Sequence, residues 1–196
     1  MIRVLGKSLF KTICQIQGRH KDNQIELKNK LLRSHGDTVR IDFPVNGLHG
    51  LEYITIGYNF FAHTGLWLAA YKQKEYSNPK IVIGNNVCIN YDCQITAINK
   101  IVIGDDVLIG SRCLITDHSH GDTTLESLKL KPLERPLISK GPVVIGNCVW
   151  IGSGAAIMPG VSIGNNCVIG ANSVVTKNFS NNCVLAGAPA KIIKKL

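Results

Sequence analysis

An apolar residue, usually isoleucine, recurs at every sixth position over long stretches of this chain, and a glycine or another turn-forming residue commonly follows it. One such run is Ile145, Ile151, Ile157, Ile163 and Ile169. A period this short does not fit a helical hairpin or a propeller blade and is typical of a parallel β-helix. The chain is therefore predicted to be an all-β solenoid.

The spacing within each repeat predicts the shape of the coil. The residue two places before each isoleucine is also apolar or small, as at Val149, Val161 and Cys167. Residues two apart in a strand share a face, so each pair should point inward and the residue between them outward. Gly, Asn and Asp at the remaining positions tolerate the backbone angles of tight corners. Three such sides make a triangular coil of 18 residues, which is the spacing from Ile145 to Ile163.

Changes in this pattern divide the chain into three parts. Residues 1–50 form a basic N-terminal segment, residues 51–187 a β-helix domain, and residues 188–196 a short basic tail. The repeats stop and later resume, which predicts a long inserted loop over about residues 117–142. Long excursions of this kind are usually functional or disordered. Short helical segments are expected at the termini.

Composition indicates a single cytoplasmic domain. With 196 residues, 45% of them hydrophobic and 18% charged, the chain can bury a substantial core. No apolar run of about 20 residues and no signal-peptide core is present, so neither membrane spanning nor export is expected. The seven cysteines form no CxxC pair, and Cys93, Cys113 and Cys167 fall on inward positions. These thiols are expected to act as small apolar groups in a reducing compartment.

Positive charge is concentrated near the start of the chain. The net charge is +9, and residues 1–40 hold nine Lys and Arg against three acidic residues. Ile2, Leu5 and Leu9 follow helical spacing, which favours a helix that packs against the coil or a neighbouring subunit. The alternative is a helix lying on an anionic membrane surface. Nucleic acid is not an expected partner, because no reader motif occurs and aromatic content is only 6%.

Several residues depart from the structural pattern and are candidates for function. Trp150 lies between two inward residues, so its ring should point outward, either as a wall of a site or in subunit or loop packing. Leu108 also points outward, and such an apolar stripe indicates a subunit interface. His118 and His120 stand where the repeat stops, and histidine suits general-base chemistry near neutral pH. Exposed loop histidines are common, however, and with no repeat-phased histidine partner a catalytic metal is not predicted.

Several short motifs occur in the same order in this chain as in a known protein family. About 110 residues resemble the hexapeptide-repeat acyltransferases of the left-handed β-helix class, most closely the sugar O-acetyltransferases of the maltose, galactoside and nodulation-factor type. The bacterial lipopolysaccharide and capsule O-acetyltransferases are the nearest branch. The stretches that carry the resemblance are 82–92, 115–118, 147–152, 159–161, 170–177 and 186–194.

The resemblance implies a homotrimer with active sites between adjacent subunits and acetyl-CoA as the acyl donor. His118 matches the family's catalytic base, which takes the proton from a sugar hydroxyl. Asn90 matches a substrate-contacting asparagine, and His120 is a further candidate acceptor contact. Small residues stacked at one corner, among them Ser153 and Ala171, leave a shallow groove for the donor arm. The family's other CoA contacts match Ser153, Thr176, Lys177, Lys191 and Lys194.

The function expected from this resemblance is acetylation of a sugar hydroxyl on O-antigen, capsule or exopolysaccharide. Residues 1–50 do not align with the N-terminal segment of the small-sugar enzymes, which disfavours a free sugar as acceptor. Two alternatives share the solenoid: a non-catalytic trimeric scaffold, and a metalloenzyme of the γ-carbonic anhydrase type. The second needs three metal-binding histidines in fixed spacing, which this sequence does not show.

Overall fold

A computed structural model describes residues 38–196, and in it the strands form three parallel sheets around one core. Outside the inserted arm and before the final strand pair, consecutive strands belong to different sheets, so each coil of the chain visits all three in turn. We call these sheets faces A, B and C and number the strands in chain order. The predicted parallel β-helix is confirmed.

The three faces contain the following strands. Face A comprises β1 (Val39–Ile41), β4 (Phe60–Ala62), β7 (Cys88–Ile89), β10 (Leu108–Ile109), β15 (Trp150–Ile151), β18 (Val168–Ile169), β20 (Cys183–Gly187) and β21 (Ala190–Lys195). Face B comprises β2 (Gly47–His49), β5 (Trp67–Ala70), β8 (Gln94–Ala97), β11 (Leu114–Thr116), β16 (Ala156–Ile157) and β19 (Val174–Val175). Face C comprises β3 (Ile54–Ile56), β6 (Lys80–Ile83), β9 (Lys100–Ile103), β14 (Val143–Ile145) and β17 (Ser162–Ile163). A 3-10 turn at Leu51–Tyr53 precedes β3.

The core consists of the repeat residues stacked in register. On face A, Ile89, Ile109, Ile151 and Ile169 are paired partners in successive strands, and all four are buried. Burying one such side chain contributes about 1.5–3 kcal/mol, so the six-residue pattern itself stabilises the coil. The cysteines predicted to point inward are buried as well: Cys93, Cys113 and Cys167.

Side chains at the corner between faces C and A tie successive coils together. Asp105 Oδ1 accepts the backbone N–H of Asn85 at 2.7 Å, and Asn147 Oδ1 accepts that of Asp105 at 2.9 Å. Asn165 continues the series by accepting the N–H of Asn147 at 2.8 Å. The glycine before each of these residues is required by close approach, since a Cβ on Gly104 would lie 2.8 Å from the backbone of the next coil.

The next residue at this corner lies in the left-handed region of the backbone. Asn86, Asp106 and Asn166 adopt φ of 56°, 58° and 55°, which Asn and Asp tolerate well. Asn86 Nδ2 donates to Asp106 Oδ1 at 2.9 Å, and Asn166 donates in the same way to Asn182 at 3.1 Å. Cys148 occupies this corner between Asp106 and Asn166 with φ of 56°. Its side chain has no amide group, so the series of side-chain hydrogen bonds between successive coils at this corner, which we call the corner ladder, is interrupted at Cys148.

Both ends of the solenoid differ from the sequence-based expectation. Strand pairing begins at Val39, which lies opposite Phe60, so coil strands precede the predicted boundary at residue 51. The repeat is unreadable there because Pro44 and irregular spacing break the pattern. The predicted tail 188–196 is not a helix or a free tail, because β21 pairs antiparallel with β20 along face A. The predicted N-terminal helix lies outside the described residues.

The inserted loop is an arm that leaves the solenoid between β11 and β14. Strand β12 (His118–His120) pairs antiparallel with β13 (Leu137–Ser139), and the tip holds a short helix, α1 (Leu125–Leu128), and a 3-10 turn at Pro132–Glu134. The predicted excursion over about residues 117–142 is confirmed. Within residues 38–196 no helix has the length and apolarity to cross a membrane.

Candidate active site

The arm begins at the corner between faces B and C, and His118 is its first strand residue. Strand β11 ends at Thr116, Asp117 follows at the corner, and His118 opens β12 opposite Ser139. The solenoid and the arm therefore hold the backbone on both sides of this histidine. Its side chain is 11% exposed, so one edge of the ring reaches the surface.

Asp117 is a fully buried carboxylate whose oxygens are all matched to donors. Its Oδ1 accepts the backbone N–H of Ile98 at 2.9 Å, and its Oδ2 accepts that of Asn99 at 2.8 Å. These amides belong to the corner of the preceding coil. A buried charge needs such partners to offset its loss of hydration. The carboxylate is thereby fixed by the stacking of two coils.

The same carboxylate orients the histidine ring. His118 Nδ1 lies 3.0 Å from Asp117 Oδ1 and 3.3 Å from Thr116 Oγ1. A carboxylate can only accept, so the proton on Nδ1 is donated to Asp117 and Nε2 carries the lone pair. A neutral imidazole with a free Nε2 lone pair is a general base.

Asp117 is a candidate site residue that sequence reasoning missed. Its only sequence signal is an acidic residue directly before the histidine, at the point where the repeat stops. The burial and the two backbone donors come from residues 98 and 99, and they become visible only when the coils are stacked. His120 is exposed two residues further along β12, opposite Leu137 and on the same side of the strand as His118.

Asn90 lies at a different corner, between faces A and B. It follows β7, and its Nδ2 donates to the carbonyl of Ile109 at 3.1 Å, which leaves Oδ1 as an acceptor. Ser153 and Ala171 lie at the same corner in later coils, and both are exposed. The structure thus brings Asn90 and the small-residue corner onto one edge of the solenoid, across face B from His118.

The small residues at this corner serve coil stacking as well as forming an open edge. Gly152 is buried, and a Cβ there would lie 2.6 Å from the backbone nitrogen of Ala171. Ser153 Oγ accepts the backbone N–H of Ser111 at 3.2 Å. The glycine is therefore explained by packing, whereas the shallow groove beside the exposed Ser153 and Ala171 stays a prediction.

Trp150 points outward as predicted and is 54% exposed. It lies in the outward row of face A, with Leu108 and Val168 as its paired neighbours. Face A is the side of the triangular coil opposite the corner of His118. Within one chain, the structure therefore does not bring Trp150 to the histidine.

The predicted donor contacts fall into two groups of exposed residues. Thr176 and Lys177 follow β19 at the corner between faces B and C, on the same edge as His118. Lys191 and Lys194 lie on β21 at the end of face A, opposite Ala186 and Val184. Three exposed cations at this end of the solenoid can pair with phosphate groups. Among residues 38–196, no group of three His, Cys, Asp or Glu side chains is arranged to hold a metal ion.

Comparison with known families matches two segments of the chain. Residues 142–177 fit the model described as bacterial transferase hexapeptide (six repeats), and residues 100–119 fit the hexapeptide repeat of succinyl-transferase. The first segment covers β14 to β19, and the second covers β9 to β11 with the start of the arm. The left-handed β-helix of this class is the predicted fold, and it is confirmed.

Similar proteins cover most of the chain. WbbJ of Escherichia coli K12, named for lipopolysaccharide biosynthesis O-acetyl transfer, is 42% identical over 72% of this chain and 71% of its own length. Galactoside O-acetyltransferase of E. coli K12 is 38% identical over 99% of this chain and 79% of its own length. This match extends into residues 1–50, so the expectation that this segment does not align with the small-sugar enzymes is wrong. A solved galactoside acetyltransferase in complex with coenzyme A has a TM-score of 0.52 at 27% identity, covering 86% of this chain and 82% of that one. The chain therefore belongs to the hexapeptide-repeat transferase family and is one of its acetyltransferases.

Proposed function

We propose that this protein transfers an acetyl group from acetyl-CoA to a sugar hydroxyl of a bacterial cell-surface polysaccharide. The single observation that carries the proposal is the Asp117–His118 pair, in which the carboxylate holds Nδ1 and leaves Nε2 directed away from it at the edge of the solenoid. The relatives support it, because two of them are named for O-acetyl transfer in lipopolysaccharide biosynthesis or to galactosides.

The pair is assigned two proton transfers: His118 accepts one proton and later gives it up. Nε2 of His118 takes the proton of the sugar hydroxyl as its oxygen attacks the acetyl carbonyl carbon, and Asp117 stabilises the imidazolium that forms. The C–S bond of the thioester then breaks, and His118 returns the proton to the departing sulfur. Acetyl-CoA supplies the activated acyl group, and the acetylated sugar and CoA are the products.

The residues present fit a CoA-sized donor. Its phosphates need cations, and the end of the solenoid presents Lys177, Lys191 and Lys194 with exposed side chains. Its narrow arm needs an unobstructed surface, and the small, exposed Ser153 and Ala171 at the corner between faces A and B suit it. Both features lie in the later coils: Lys177 follows face B, Lys191 and Lys194 lie on face A, and the small residues lie at the corner between these faces.

The two groups of site residues meet only if a second copy of the chain takes part. Asn90 and His118 lie at opposite edges of face B, separated by a strand such as β8 of four residues. At about 3.3 Å per residue, this width exceeds 10 Å. The corner that carries Asn90 in one copy would therefore lie against the corner that carries His118 in the next. Three copies around an axis complete three such sites, and the outward apolar row of face A fits burial in the trimer.

The first experiment follows acetyl transfer directly. Purified protein and the variants His118→Ala and His49→Ala are incubated with acetyl-CoA and bacterial surface glycans, and the products are weighed by mass spectrometry. Loss of a general base should reduce transfer by His118→Ala about 10²- to 10⁴-fold. His49→Ala, an exposed histidine on β2, should behave like wild type. Equal transfer by both variants would contradict the proposed role of His118.

A mixing experiment tests the shared site. His118→Ala and Asn90→Ala chains are co-expressed, so that some neighbouring pairs combine an intact His118 from one copy with an intact Asn90 from the other. Random assembly gives about a quarter of such sites, so mixed trimers should regain activity that neither variant has alone. A mixture as inactive as its components would show that both residues serve a site within one chain.

We place the reaction in the cytoplasm, where acetyl-CoA is available and where the free thiols described in the fold remain reduced. Contact with the inner membrane surface is a separate prediction from the basic N-terminal residues Arg3, Lys7 and Lys11. Their replacement by Gln should weaken binding to anionic liposomes, and unchanged binding would remove membrane contact from the proposal.

A further inference from the structure

A cluster of aromatic and charged side chains lies in the first coils, at and beside the corner between faces A and B, outside the residues discussed above. We call it the corner cluster, and it consists of Arg40, Asp42, Phe61, His63 and Tyr91. The His63 and Tyr91 rings are stacked, with centroids 4.3 Å apart and planes 19° apart. Phe61 packs edge-on against His63 at 4.4 Å, and the guanidinium of Arg40 lies 4.9 Å from the Phe61 ring.

Polar groups hold the aromatic stack from one side. Asp42 Oδ2 lies 3.5 Å from Nδ1 of His63, and its Oδ1 accepts the Nε hydrogen of Arg40 at 3.0 Å. The side chains of Asp42 and His63 are only 27% and 25% exposed. The rings are therefore fixed in orientation before any ligand binds.

The cluster continues the edge on which Asn90 lies. Ile41, Ala62 and Ile89 are successive register partners on face A, and the residues that follow them at the corner are Asp42, His63 and Asn90. Coils stack about 4.8 Å apart, so His63 lies one coil and Asp42 two coils beyond Asn90, away from the donor groove. That rise is close to the length of one sugar unit in a glycan.

Tyr91 gives the cluster an open surface. His63 covers one face of its ring, yet Tyr91 remains 47% exposed. In the next coil the register counterparts of Asn90 and Tyr91 are the small residues Gly110 and Ser111, and Arg112 follows them with its backbone N–H donated to the Tyr91 carbonyl at 2.7 Å. Coil stacking does not require an aromatic residue here, because later coils carry Ser153 and Ala171 at the equivalent place.

The chemistry of this surface matches a sugar ring. A pyranose has apolar C–H faces that pack on an aromatic ring, and hydroxyl edges that bond to carboxylates, amides and phenols. Sites with an aromatic wall and a few fixed polar groups bind such ligands with defined orientation. The Tyr91 ring supplies the wall, while the Tyr91 hydroxyl, Asp42 and the Oδ1 of Asn90 supply polar contacts.

We infer that the corner cluster is a second sugar subsite, which binds the unit next to the one that is acetylated. This inference rests on the proposed function and names its substrate class: an acceptor of at least two linked sugars rather than a free monosaccharide. The donor groove, Asn90 and the corner cluster then follow one another along a single edge.

Binding without the donor tests this subsite. Wild-type protein and the variants Tyr91→Ala, Tyr91→Phe and Tyr58→Ala are applied to a printed array of O-antigen and capsule oligosaccharides, from single sugars to hexasaccharides. Wild type should bind linked sugars at least about tenfold more tightly than the matching single sugar, and Tyr91→Ala should lose this preference, as removal of a central aromatic contact does. Tyr91→Phe keeps the ring and should retain the preference. Tyr58→Ala removes an exposed tyrosine from the corner between faces C and A and should also retain it.

Melting temperatures of all four proteins separate lost binding from lost folding. The inference is overturned if wild type binds single and linked sugars equally, or if a folded Tyr91→Ala binds linked sugars as wild type does. Acetyl-CoA binding and acetyl transfer are measured on the same samples. Glycan binding that depends on Tyr91 in a protein that transfers no acetyl group supports the subsite and contradicts the proposed function. Transfer to linked sugars that is unchanged by Tyr91→Ala supports the proposed function and contradicts the subsite.

Discussion

Nδ1 of His118 lies 3.0 Å from the carboxylate of Asp117, the residue directly before it. This contact orients the ring because the carboxylate is itself held by two backbone amides of the preceding coil. The tautomer of the base therefore depends on coil stacking, and small displacements between coils would change the direction of Nε2.

Asp117→Asn should lower kcat about 10- to 10³-fold, because the amide no longer stabilises the imidazolium and its NH₂ group favours the wrong tautomer. The same change leaves a buried backbone N–H facing a donor, which costs about 1–3 kcal/mol of unfolding free energy. Steady-state kinetics and thermal melting measure the two effects. Asp122→Asn, on the exposed part of the arm, is the matched control and should leave kcat unchanged. Full activity in Asp117→Asn would show that the contact does not orient the base.

Replacing the lysines at the end of the solenoid should weaken donor binding. Lys177→Gln, Lys191→Gln and Lys194→Gln are each expected to raise the KM for acetyl-CoA about two- to tenfold with little change in kcat, because each removes one exposed charge that is proposed to pair with phosphate. Added salt should reduce the difference. Lys129→Gln removes a lysine that pairs with Glu126 on the arm and serves as the control. A KM that is the same in all four variants would rule out phosphate contacts at this end.

Cys148→Asn should stabilise the fold. Cys148 has a φ of 56°, which Asn adopts more readily, and an amide there could join Asp106 to Asn166 in the interrupted corner ladder. A gain of about 1 kcal/mol is expected, which corresponds to a rise in Tm of about 2–4 °C for a chain of this size. Cys88→Asn, which places the same amide on a half-buried strand position, should instead lower Tm. No rise in Cys148→Asn would mean that the ladder does not contribute to stability.

A charge in the outward apolar row of face A should dissociate the proposed trimer. Leu108 is 42% exposed in one chain and lies beside Trp150, so Leu108→Asp would bury a carboxylate if this row is an interface. Light scattering coupled to size exclusion should then report monomers. Thr55→Asp adds the same charge to face C and should leave the trimer intact. A trimeric Leu108→Asp would place the interface on another face.

The sequence predicts the structure best where its six-residue pattern is regular. The inward positions, the outward direction of Trp150 and the excursion after Thr116 all follow from a period that each coil repeats. The early strands at Val39 and Gly47 were not predicted, because their pairing with Phe60 and Trp67 rests on backbone hydrogen bonds that need no repeat.

The site was harder to predict because its contacts join residues of different coils. His118 stands out because it breaks the pattern, whereas Asp117 matters through backbone groups of another coil. The His63–Tyr91 stack joins two residues that are 28 positions apart in the sequence but adjacent at one corner. Spacing along the sequence does not reveal which side chains share a corner until the coil register is known.

The final strand, β21, reverses direction and covers the open edge of face A. A solenoid of identical coils has no intrinsic length, since each exposed edge is a template for another strand, from the same chain or from another molecule. Lys191, Lys194 and Lys195 make the new edge strongly cationic. Mutual repulsion between such edges would oppose end-to-end growth into fibres, so the lysines proposed to bind an anionic donor would also limit the length of the assembly.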